Sequence, residues 1–245
     1  MIDKILCLDI GNTRIKWGVC ELAQFNISYQ GVAEEMSQLA GELSALSPMP
    51  VWVSSVGSKD VNDSVLQWFD ENWRQQANFI NSEPEFKDLK NAYRVSEDLG
   101  VDRWLAMVAA RNLIDDDFCV IDAGTALTID AVRSTGEHLG GLIMPGLSLM
   151  AAALSKGTAN IDQAAGKQHT LAGNTIDAVA SGIMTSWLGG IEKALSELTQ
   201  KLPGCTVFVT GGDAEKVKSI NINNVVYNND LVLLGVGLKA RDHYA

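Results

Sequence analysis

The sequence predicts an α/β fold made of two similar halves, and three observations support this. Short apolar or β-branched runs alternate along the chain with segments whose apolar residues recur at helical spacing. A pair of strands joined by an Asp-x-Gly turn occurs twice, separated by nearly half of the chain. The 245 residues are 47% hydrophobic and 20% charged, which is typical of a globular protein and too apolar for a disordered chain.

The first half is expected to open with a strand, a tight turn and a second strand. Ile15, Trp17 and Val19 fall on one face of the second strand, which is the pattern of a half-buried strand. The polar segment 82–98 is expected to be a loop. The expected strands are 5–10, 14–20, 25–29, 51–56 and 79–80, and the expected helices are 36–46, 63–75 and 101–113.

The pattern then restarts, so that the second half is expected to repeat the strand–turn–strand unit. A Pro145-Gly146 break follows its third strand, and a loop rich in Gly, Ala and Lys follows residue 154. The expected strands are 118–122, 127–132, 139–144, 206–209 and 224–227, and the expected helices are 147–154, 175–198, a short one after residue 213, and 230–241. We therefore expect an N-terminal domain, residues 1–113, and a C-terminal domain, residues 114–245.

The net charge limits the classes of partner. The chain has 30 acidic against 19 basic side chains, a formal charge of -11. Nucleic acids are bound by surfaces rich in Lys and Arg, so a nucleic-acid partner is not expected, although a local basic pocket can attract a small anionic substrate. The N-terminal apolar stretch is short and charged, and no uncharged run is long enough to span a membrane. We therefore expect a cytoplasmic location and no membrane partner.

The cysteines and histidines do not form the spacing patterns of a metal site. The four cysteines are Cys7, Cys20, Cys119 and Cys205, and the three histidines are His138, His169 and His243. Three of the cysteines lie in or beside apolar runs and are expected to be buried thiols. The histidines are isolated in the sequence, so no zinc site is expected. A glycine-rich stretch at 235–240 loosely resembles a dinucleotide fingerprint but falls inside the last expected helix.

The two Asp-x-Gly turns are the main candidates for phosphate binding. They read Asp9-Ile10-Gly11-Asn12-Thr13-Arg14-Ile15-Lys16 and Ile121-Asp122-Ala123-Gly124-Thr125-Ala126. Glycine lets backbone N–H groups approach a phosphate chain closely, and Thr13 and Thr125 add hydroxyl donors. Asp9 and Asp122 stand at strand ends and are suited to hold a hydrated cation against phosphates. The alternative is a pair of ordinary hairpin turns.

A third glycine turn, Thr210-Gly211-Gly212-Asp213, follows a buried strand and precedes a helix. Gly211 and Gly212 would let a flat adenine ring lie against the backbone. The alternative is a simple strand-to-helix turn in which Asp213 caps the helix.

The segment Gly100-Val101-Asp102-Arg103 stands at the start of a helix. Asp102 is a candidate general base for a substrate hydroxyl, with Arg103 stabilising an anion beside it. The alternative is that Asp102 is a helix N-cap. Thr175, in Gly173-Asn174-Thr175, has the same two interpretations.

These four motifs, together and in this order, resemble those of the type III pantothenate kinases, a branch of the actin/sugar-kinase/Hsp70 superfamily. The matching residues run from 9 to 213. The resemblance implies duplicated actin-like (ribonuclease H-like) domains, with mixed sheets flanked by helices and an ATP cleft between them. It also implies transfer of the γ-phosphate of ATP to the 4′-hydroxyl of pantothenate, the first step of coenzyme A synthesis.

The resemblance further implies a role for each motif. Asp102 would be the catalytic base, Asp9 would face Mg²⁺ through water, and Asp122 would bind a monovalent cation, K⁺ or NH₄⁺. The implied ATP contacts are Asp9, Ile10, Gly11, Asn12, Thr13, Arg14, Ile15, Lys16 and Thr125, together with Gly211 and Gly212 from the third turn. The implied pantothenate contacts are Tyr93, Gly100, Val101, Asp102, Arg103 and Thr175. Members of this family are homodimers, so the long helix 175–198 is an expected dimer element.

Two other classes stay open at this point. Another kinase of the same superfamily would phosphorylate a different small molecule, which a panel of acceptors would reveal. A transcriptional regulator of the Bvg accessory factor type would bind DNA, but the charge of -11 and the lack of a basic stripe weigh against it.

Overall fold

Two five-stranded sheets with the same strand order organise the chain in the computed structural model, which describes residues 2–158 and 166–245. Residues up to Asp115, together with Ser134–His138 and Asp230–Ala245, form one compact unit, and Asp116–Arg133 with Leu139–Asn229 form the other. Each unit holds one of the sheets. The repeated strand order confirms the α/β fold with two related halves that the Asp-x-Gly repeat predicts.

The first sheet has the order β3-β2-β1-β4-β5. Its strands are β1 (Lys4–Ile10), β2 (Ile15–Glu21), β3 (Asn26–Ala33), β4 (Val51–Ser55) and β5 (Ala77–Phe79). β2 lies antiparallel to both β1 and β3, whereas β4 lies parallel to both β1 and β5. The carboxyl ends of β1 and β4 therefore meet at the same edge of the sheet.

Four helices pack on this sheet: α1 (Met36–Leu43), α2 (Lys59–Trp73), α3 (Val101–Leu113) and, from the C-terminal segment, α7 (Leu231–His243). Leu6, Leu8 and Ile10 of β1 are fully buried in one cluster with side chains of α1 and α2. α7 packs on β1, β2 and β4 and also on α3. A Cβ on Gly235 would overlap the backbone of Leu105 in α3, so this glycine allows the close contact of α7 with α3.

The second sheet has the order β10-β9-β8-β11-β12. Its strands are β8 (Phe118–Ala123), β9 (Ala126–Val132), β10 (His138–Pro145), β11 (Thr206–Thr210) and β12 (Val225–Tyr227). β8 is antiparallel to β9 and parallel to β11, which repeats the arrangement around β1. The helices of this unit are α4 (Leu147–Gly157), α5 (Thr175–Lys201) and the one-turn α6 (Ala214–Val217). Trp187 and Ile191 of α5 are buried against β8, β9 and β11.

The expected helices and strands are confirmed, most of them to within a few residues, with one exception. The expected loop 82–98 also holds a small hairpin, β6 (Glu85–Phe86) with β7 (Leu89–Lys90), and a 3-10 turn at Ser96–Asp98. Two-residue strands are too short for a periodic signal, and the turn depends on Lys87 at a φ of 55°. α2 begins four residues before the expected position because the Ser58 hydroxyl accepts a hydrogen bond from the N–H of Val61.

The compact units differ from the expected limits 1–113 and 114–245, because Ser134–His138 and the segment from Asp230 onward belong to the first unit. The C-terminal helix α7 belongs to the first unit, because its apolar residues pack on β1 and α3. The loop expected after residue 154 lies partly outside the described residues, and α4 continues to Gly157. Among the helices of the described ranges, none is long and apolar enough to cross a membrane.

Candidate active site

The first Asp-x-Gly turn joins β1 to β2 at the carboxyl end of β1. The N–H of Gly11 donates to the carbonyl of Arg14 at 3.0 Å, which closes the turn and leaves Asn12 and Thr13 exposed at its tip. Ile10 and Ile15, on either side of the turn, are buried in the core of the unit. Only their backbone groups can therefore face a ligand, whereas the side chains of the tip residues can reach it.

Asp9 and Lys16 are paired directly across β1 and β2. The hydroxyl of Ser54, a fully buried residue of β4, donates to Asp9 Oδ1 at 3.3 Å. Ser54 is not among the candidate residues that the sequence motifs indicate. The signal that could have found it is a polar residue at the end of an apolar strand that runs parallel to β1.

Besides Asp9, a second carboxyl group, that of Asp230, interacts electrostatically with Lys16. Asp230 precedes α7, and burial raises the pKa of its carboxyl group above the ordinary value, while the positive charge of Lys16 opposes this rise. The first turn thus has a lysine that faces carboxyl groups from two elements of the unit. In the sequence, Asp230 stands out only as the first residue of the last expected helix.

The second Asp-x-Gly turn, between β8 and β9, is tighter. The N–H of Gly124 donates to the carbonyl of Ala126 at 3.1 Å. Asp122 is half-buried, pairs with Thr128 on β9, and pairs with Thr210 on the other side, on β11. The residues that face Asp122 across the sheet are therefore both neutral.

The third turn, after β11, lies directly against Asp122. Gly211 has a φ of +96°, and a Cβ at this position would overlap the Asp122 carboxylate and the carbonyl of Ala123. The N–H of Asp213 donates to the Ala123 carbonyl at 2.9 Å. Asp213 stands at the N-cap position of α6, but its side chain makes no capping bond and pairs with Lys216 instead. The second and third glycine turns, which are far apart in the sequence, are thus in contact.

Gly146 adds a third segment to this turn cluster. Its N–H donates to the carbonyl of Thr125 at 3.1 Å, and a Cβ would overlap the carbonyl groups of Gly124 and Thr125. In the sequence, Pro145-Gly146 appears only as a break between a strand and a helix. The close approach of two backbones, which requires this glycine, becomes visible only in the fold.

The segment Gly100-Val101-Asp102-Arg103 begins α3. The N-cap is Gly100, so the alternative in which Asp102 is the N-cap is wrong. Asp102 lies in the first turn, where the helix dipole favours a negative charge, and its Oδ1 accepts the N–H of Arg103 at 2.7 Å. A Cβ on Gly100 would lie 2.7 Å from the same oxygen. Glycine at position 100 therefore leaves room beside the Asp102 carboxylate.

The buried Arg103 and the half-buried Tyr93 form a pair next to Asp102. Arg103 is only 6% exposed, and its Nη1 donates to the Tyr93 hydroxyl at 3.1 Å. The buried ring of His138 lies parallel to that of Tyr93, with centroids 6.3 Å apart, and His138 Nδ1 accepts the N–H of Ala92 at 3.3 Å. His138, which is isolated from the other histidines in the sequence, thus contacts Tyr93 and the backbone before it in the fold.

Thr175 stands at the start of α5, beside an apolar groove of the second unit. Asn174 is the N-cap, with its side chain accepting the N–H of Asp177 at 2.9 Å, so Thr175 is not the capping residue. Asn174 and the N–H of Lys167 hold the pKa of Asp177 below its ordinary value. The groove has a volume of about 940 Å³ and is lined by residues of α4 and α5, including Thr175.

The fold, with its three glycine turns, is that of the actin-like ATPases and sugar kinases. A solved structure of an activator of 2-hydroxyisocaproyl-CoA dehydratase from Clostridium difficile, with bound ADPNP, matches 98% of this chain and 95% of its own, with a TM-score of 0.55 and 15% identity. A Baf family protein from Campylobacter jejuni matches over 98% of both chains, with a TM-score of 0.58 and 21% identity. At these identities the matches show the fold.

Sequence comparison shows the family within this class. The family model for type III pantothenate kinase matches residues 5–197. The type III pantothenate kinase of Chromobacterium violaceum is 36% identical, over 94% of this chain and 97% of its own. That of Pseudomonas aeruginosa is 34% identical, over 96% and 98% of the two chains. The chain belongs to the type III pantothenate kinase family, whose reaction transfers the γ-phosphate of ATP to pantothenate with the use of a divalent metal.

Proposed function

We propose that Asp102 is the general base of the pantothenate kinase reaction. Its carboxylate accepts the proton of the pantothenate 4′-hydroxyl while that oxygen forms a bond to the γ-phosphorus and the bond to the β-phosphate oxygen breaks, releasing ADP. The observation that carries this proposal is the space beside Asp102 Oδ1, which the absence of a side chain at Gly100 keeps open. The adjacent Arg103 is held by Tyr93 and supplies a fixed positive charge.

The acceptor is proposed to bind against the same segment. Pantothenate carries a carboxylate, and a guanidinium is the side chain best suited to bind a carboxylate through two donors. We assign this contact to Arg103, and Tyr93 and the backbone of Gly100 and Val101 line the site. Only the backbone of Val101 is included because its side chain is buried. Thr175, which lines the groove between α4 and α5, is a further proposed pantothenate contact.

For ATP, we propose that the first turn, Asp9–Lys16, and the cluster of Thr125, Gly211 and Gly212 bind the nucleotide. Phosphoryl transfer needs positioning and charge neutralisation more than covalent catalysis, and backbone N–H groups with Arg14 and Lys16 supply both. Asp9 offers a carboxylate oxygen at a strand end, oriented by Ser54, which suits Mg²⁺ held largely through water. When bound, Mg²⁺ neutralises charge on the phosphates.

Asp122 is the proposed ligand of a monovalent cation, K⁺ or NH₄⁺. Its carboxylate and the carbonyl of Ala123 lie around one point in front of Gly211, and carboxylate and carbonyl oxygens are the ligands that hard cations prefer.

A homodimer is part of the proposal, formed through the second unit. α4 is rich in Leu, Met and Ala but has no buried residue. Ile143 on β10 is 65% exposed, and Leu142, Leu149 and Ile176 are also exposed. A set of exposed apolar residues of this kind marks an interaction surface. Light scattering on the purified protein measures the mass, for which we expect twice the 26.4 kDa of the chain.

The remaining parts of the proposal concern location and other partners. We propose a cytoplasmic location and no nucleic-acid or membrane partner. The net charge of -11 supports the exclusion of nucleic acid, since counterion release requires many basic contacts.

The experiment that tests the proposed function is ADP release by the purified protein with Mg-ATP, with and without pantothenate. We expect release that depends on pantothenate and labelled phosphate that appears on its 4′-hydroxyl. A panel of other hydroxyl acceptors, including sugars, serves as the control. Release that is equal without pantothenate, or faster with a sugar, would overturn the assignment of the acceptor.

A further inference from the structure

The backbone that leads into Tyr93 is held by side chains. Asn91 Oδ1 accepts the N–H of Tyr93 at 3.0 Å, and Asn91 Nδ2 donates to the carbonyl groups of Glu83 and Ser96 at 3.1 and 3.3 Å. The N–H of Ala92, immediately before Tyr93, donates to His138 Nδ1 at 3.3 Å. Two consecutive backbone donors are thus bound by side chains rather than by a strand or helix, which fixes the direction in which the Tyr93 side chain leaves the loop.

His138 also contacts the ring that this backbone carries. The rings of His138 and Tyr93 are parallel to within 6°, with centroids 6.3 Å apart. His138 is only 3% exposed and starts β10, so its own position is determined by the fold. One side chain therefore holds Tyr93 in two ways: through the preceding N–H and through its ring.

Tyr93 in turn positions the Arg103 guanidinium. The Tyr93 hydroxyl accepts Arg103 Nη1 at 3.1 Å, and the guanidinium carbon lies 5.7 Å from the centre of the Tyr93 ring. Arg103 is adjacent to Asp102, whose carboxylate accepts the Arg103 N–H. A rotation of Tyr93 would break this hydrogen bond and this ring contact, and so would change the orientation of the guanidinium.

We propose that His138 is a positioning residue for the acceptor, acting through Tyr93 on Arg103. This inference rests on the proposed function, in which Tyr93 and Arg103 bind pantothenate. Histidine is needed at this position because its Nδ1 accepts a hydrogen bond. A phenylalanine would keep an aromatic ring but would leave the N–H of Ala92 without this partner. We expect His138 to affect the affinity for pantothenate and not the affinity for ATP.

Two variants of His138 separate its two contacts. His138→Phe keeps an aromatic ring beside Tyr93 and removes the atom that accepts the hydrogen bond from Ala92. His138→Asn keeps an atom that can accept this hydrogen bond and removes the ring. His243→Phe is the matched control, since His243 packs in an aromatic cluster of the same unit with Trp52 and Tyr244.

The first measurement is steady-state kinetics with pantothenate and with ATP. We expect His138→Phe to raise the KM for pantothenate roughly tenfold, with the KM for ATP and kcat changed by less than about twofold. His138→Asn is expected to raise the KM for pantothenate by about threefold. An unchanged KM for pantothenate in His138→Phe, or equal rises in both KM values, would overturn the proposal.

The second measurement does not depend on activity. The N–H of Ala92 should exchange with solvent roughly tenfold faster in His138→Phe than in the wild type or in His138→Asn, as followed by NMR. If exchange is faster in His138→Phe but the activity of the wild-type protein does not depend on pantothenate, pantothenate is refuted as the substrate, and the role of His138 in positioning Tyr93 stands. Unchanged exchange in His138→Phe would refute that role whatever the acceptor is.

Discussion

The two Asp-x-Gly turns occupy the same position in two sheets of the same strand order, yet their surroundings differ. In the first unit Asp9 pairs with Lys16, and the turn tip is exposed. In the second unit Asp122 pairs with the neutral residues Thr128 and Thr210. The backbones of Gly146 and Gly211 pack closely on the second turn. The first turn thus offers charged side chains, whereas the second offers backbone groups and oxygen ligands. The strand order is the same in the two units, whereas the residues around the turn differ.

The largest expected effect tests whether the chemistry resides in the first unit. Asp102→Asn is expected to lower kcat by about 10³-fold, because an amide cannot accept the hydroxyl proton. ATP binding, measured by calorimetry, should change by less than about threefold. Asp98→Asn, at an exposed carboxylate in the preceding 3-10 turn, is the control and should keep wild-type turnover. A kcat within a few fold of wild type would remove Asp102 as the base.

The next test compares the glycines of the two units. Gly211→Ala is expected to lower the free energy of unfolding by about 3 kcal/mol, because the new Cβ overlaps Asp122 and Ala123 at a positive φ. Gly11→Ala should cost less than about 1 kcal/mol, since its Cβ would lie 3.3 Å from the Arg14 carbonyl. Urea unfolding measures both. Equal costs would show that the second turn is no more closely packed than the first.

A third test concerns the cation. If Asp122 binds a monovalent cation, wild-type activity should fall at least roughly tenfold when Na⁺ replaces K⁺, and Asp122→Asn should lose this difference. Asp9→Asn is the comparison variant: its activity should be low in both salts while the ratio of activity in K⁺ to that in Na⁺ is kept. A wild-type rate indifferent to these ions would refute the cation site.

The smallest effect concerns the thiols, of which each unit has a neighbouring pair. The Cys119 thiol donates a hydrogen bond that lowers the pKa of Cys205 to about 7, and Cys7 lowers the pKa of Cys20 in the same way. Cys205 lines a groove of about 610 Å³, whereas Cys20 is fully buried. Because the thiolate is the nucleophile, alkylation of Cys205 should accelerate as the pH rises through about 7. Mass spectrometry, with Cys205→Ser as the control, should find this site labelled before Cys20.

Much of the fold could be predicted because the local patterns were strong. The repeat of the Asp-x-Gly unit predicted the two sheets, and α3 has the expected limits, 101–113. The residues that were missed act through contacts distant in sequence. Ser54 reaches Asp9 only because β4 pairs with β1, and His138 reaches Tyr93 across 45 residues of chain. Strand order and loop packing determine such contacts, and the periodicity of a single sequence does not contain them.

The helix α7 has a consequence for the order in which the chain folds. The core of the first unit includes Leu231, Leu233 and Val236, which are synthesised after every residue of the second unit. The second unit is already complete at Asn229, before any part of α7 exists. On the ribosome the first unit therefore cannot be complete before the second, whereas domains usually fold in order from the N-terminus. Until α7 is made, the face of β1 and α3 that it covers is exposed, so the nascent first unit has the greater need of protection from aggregation.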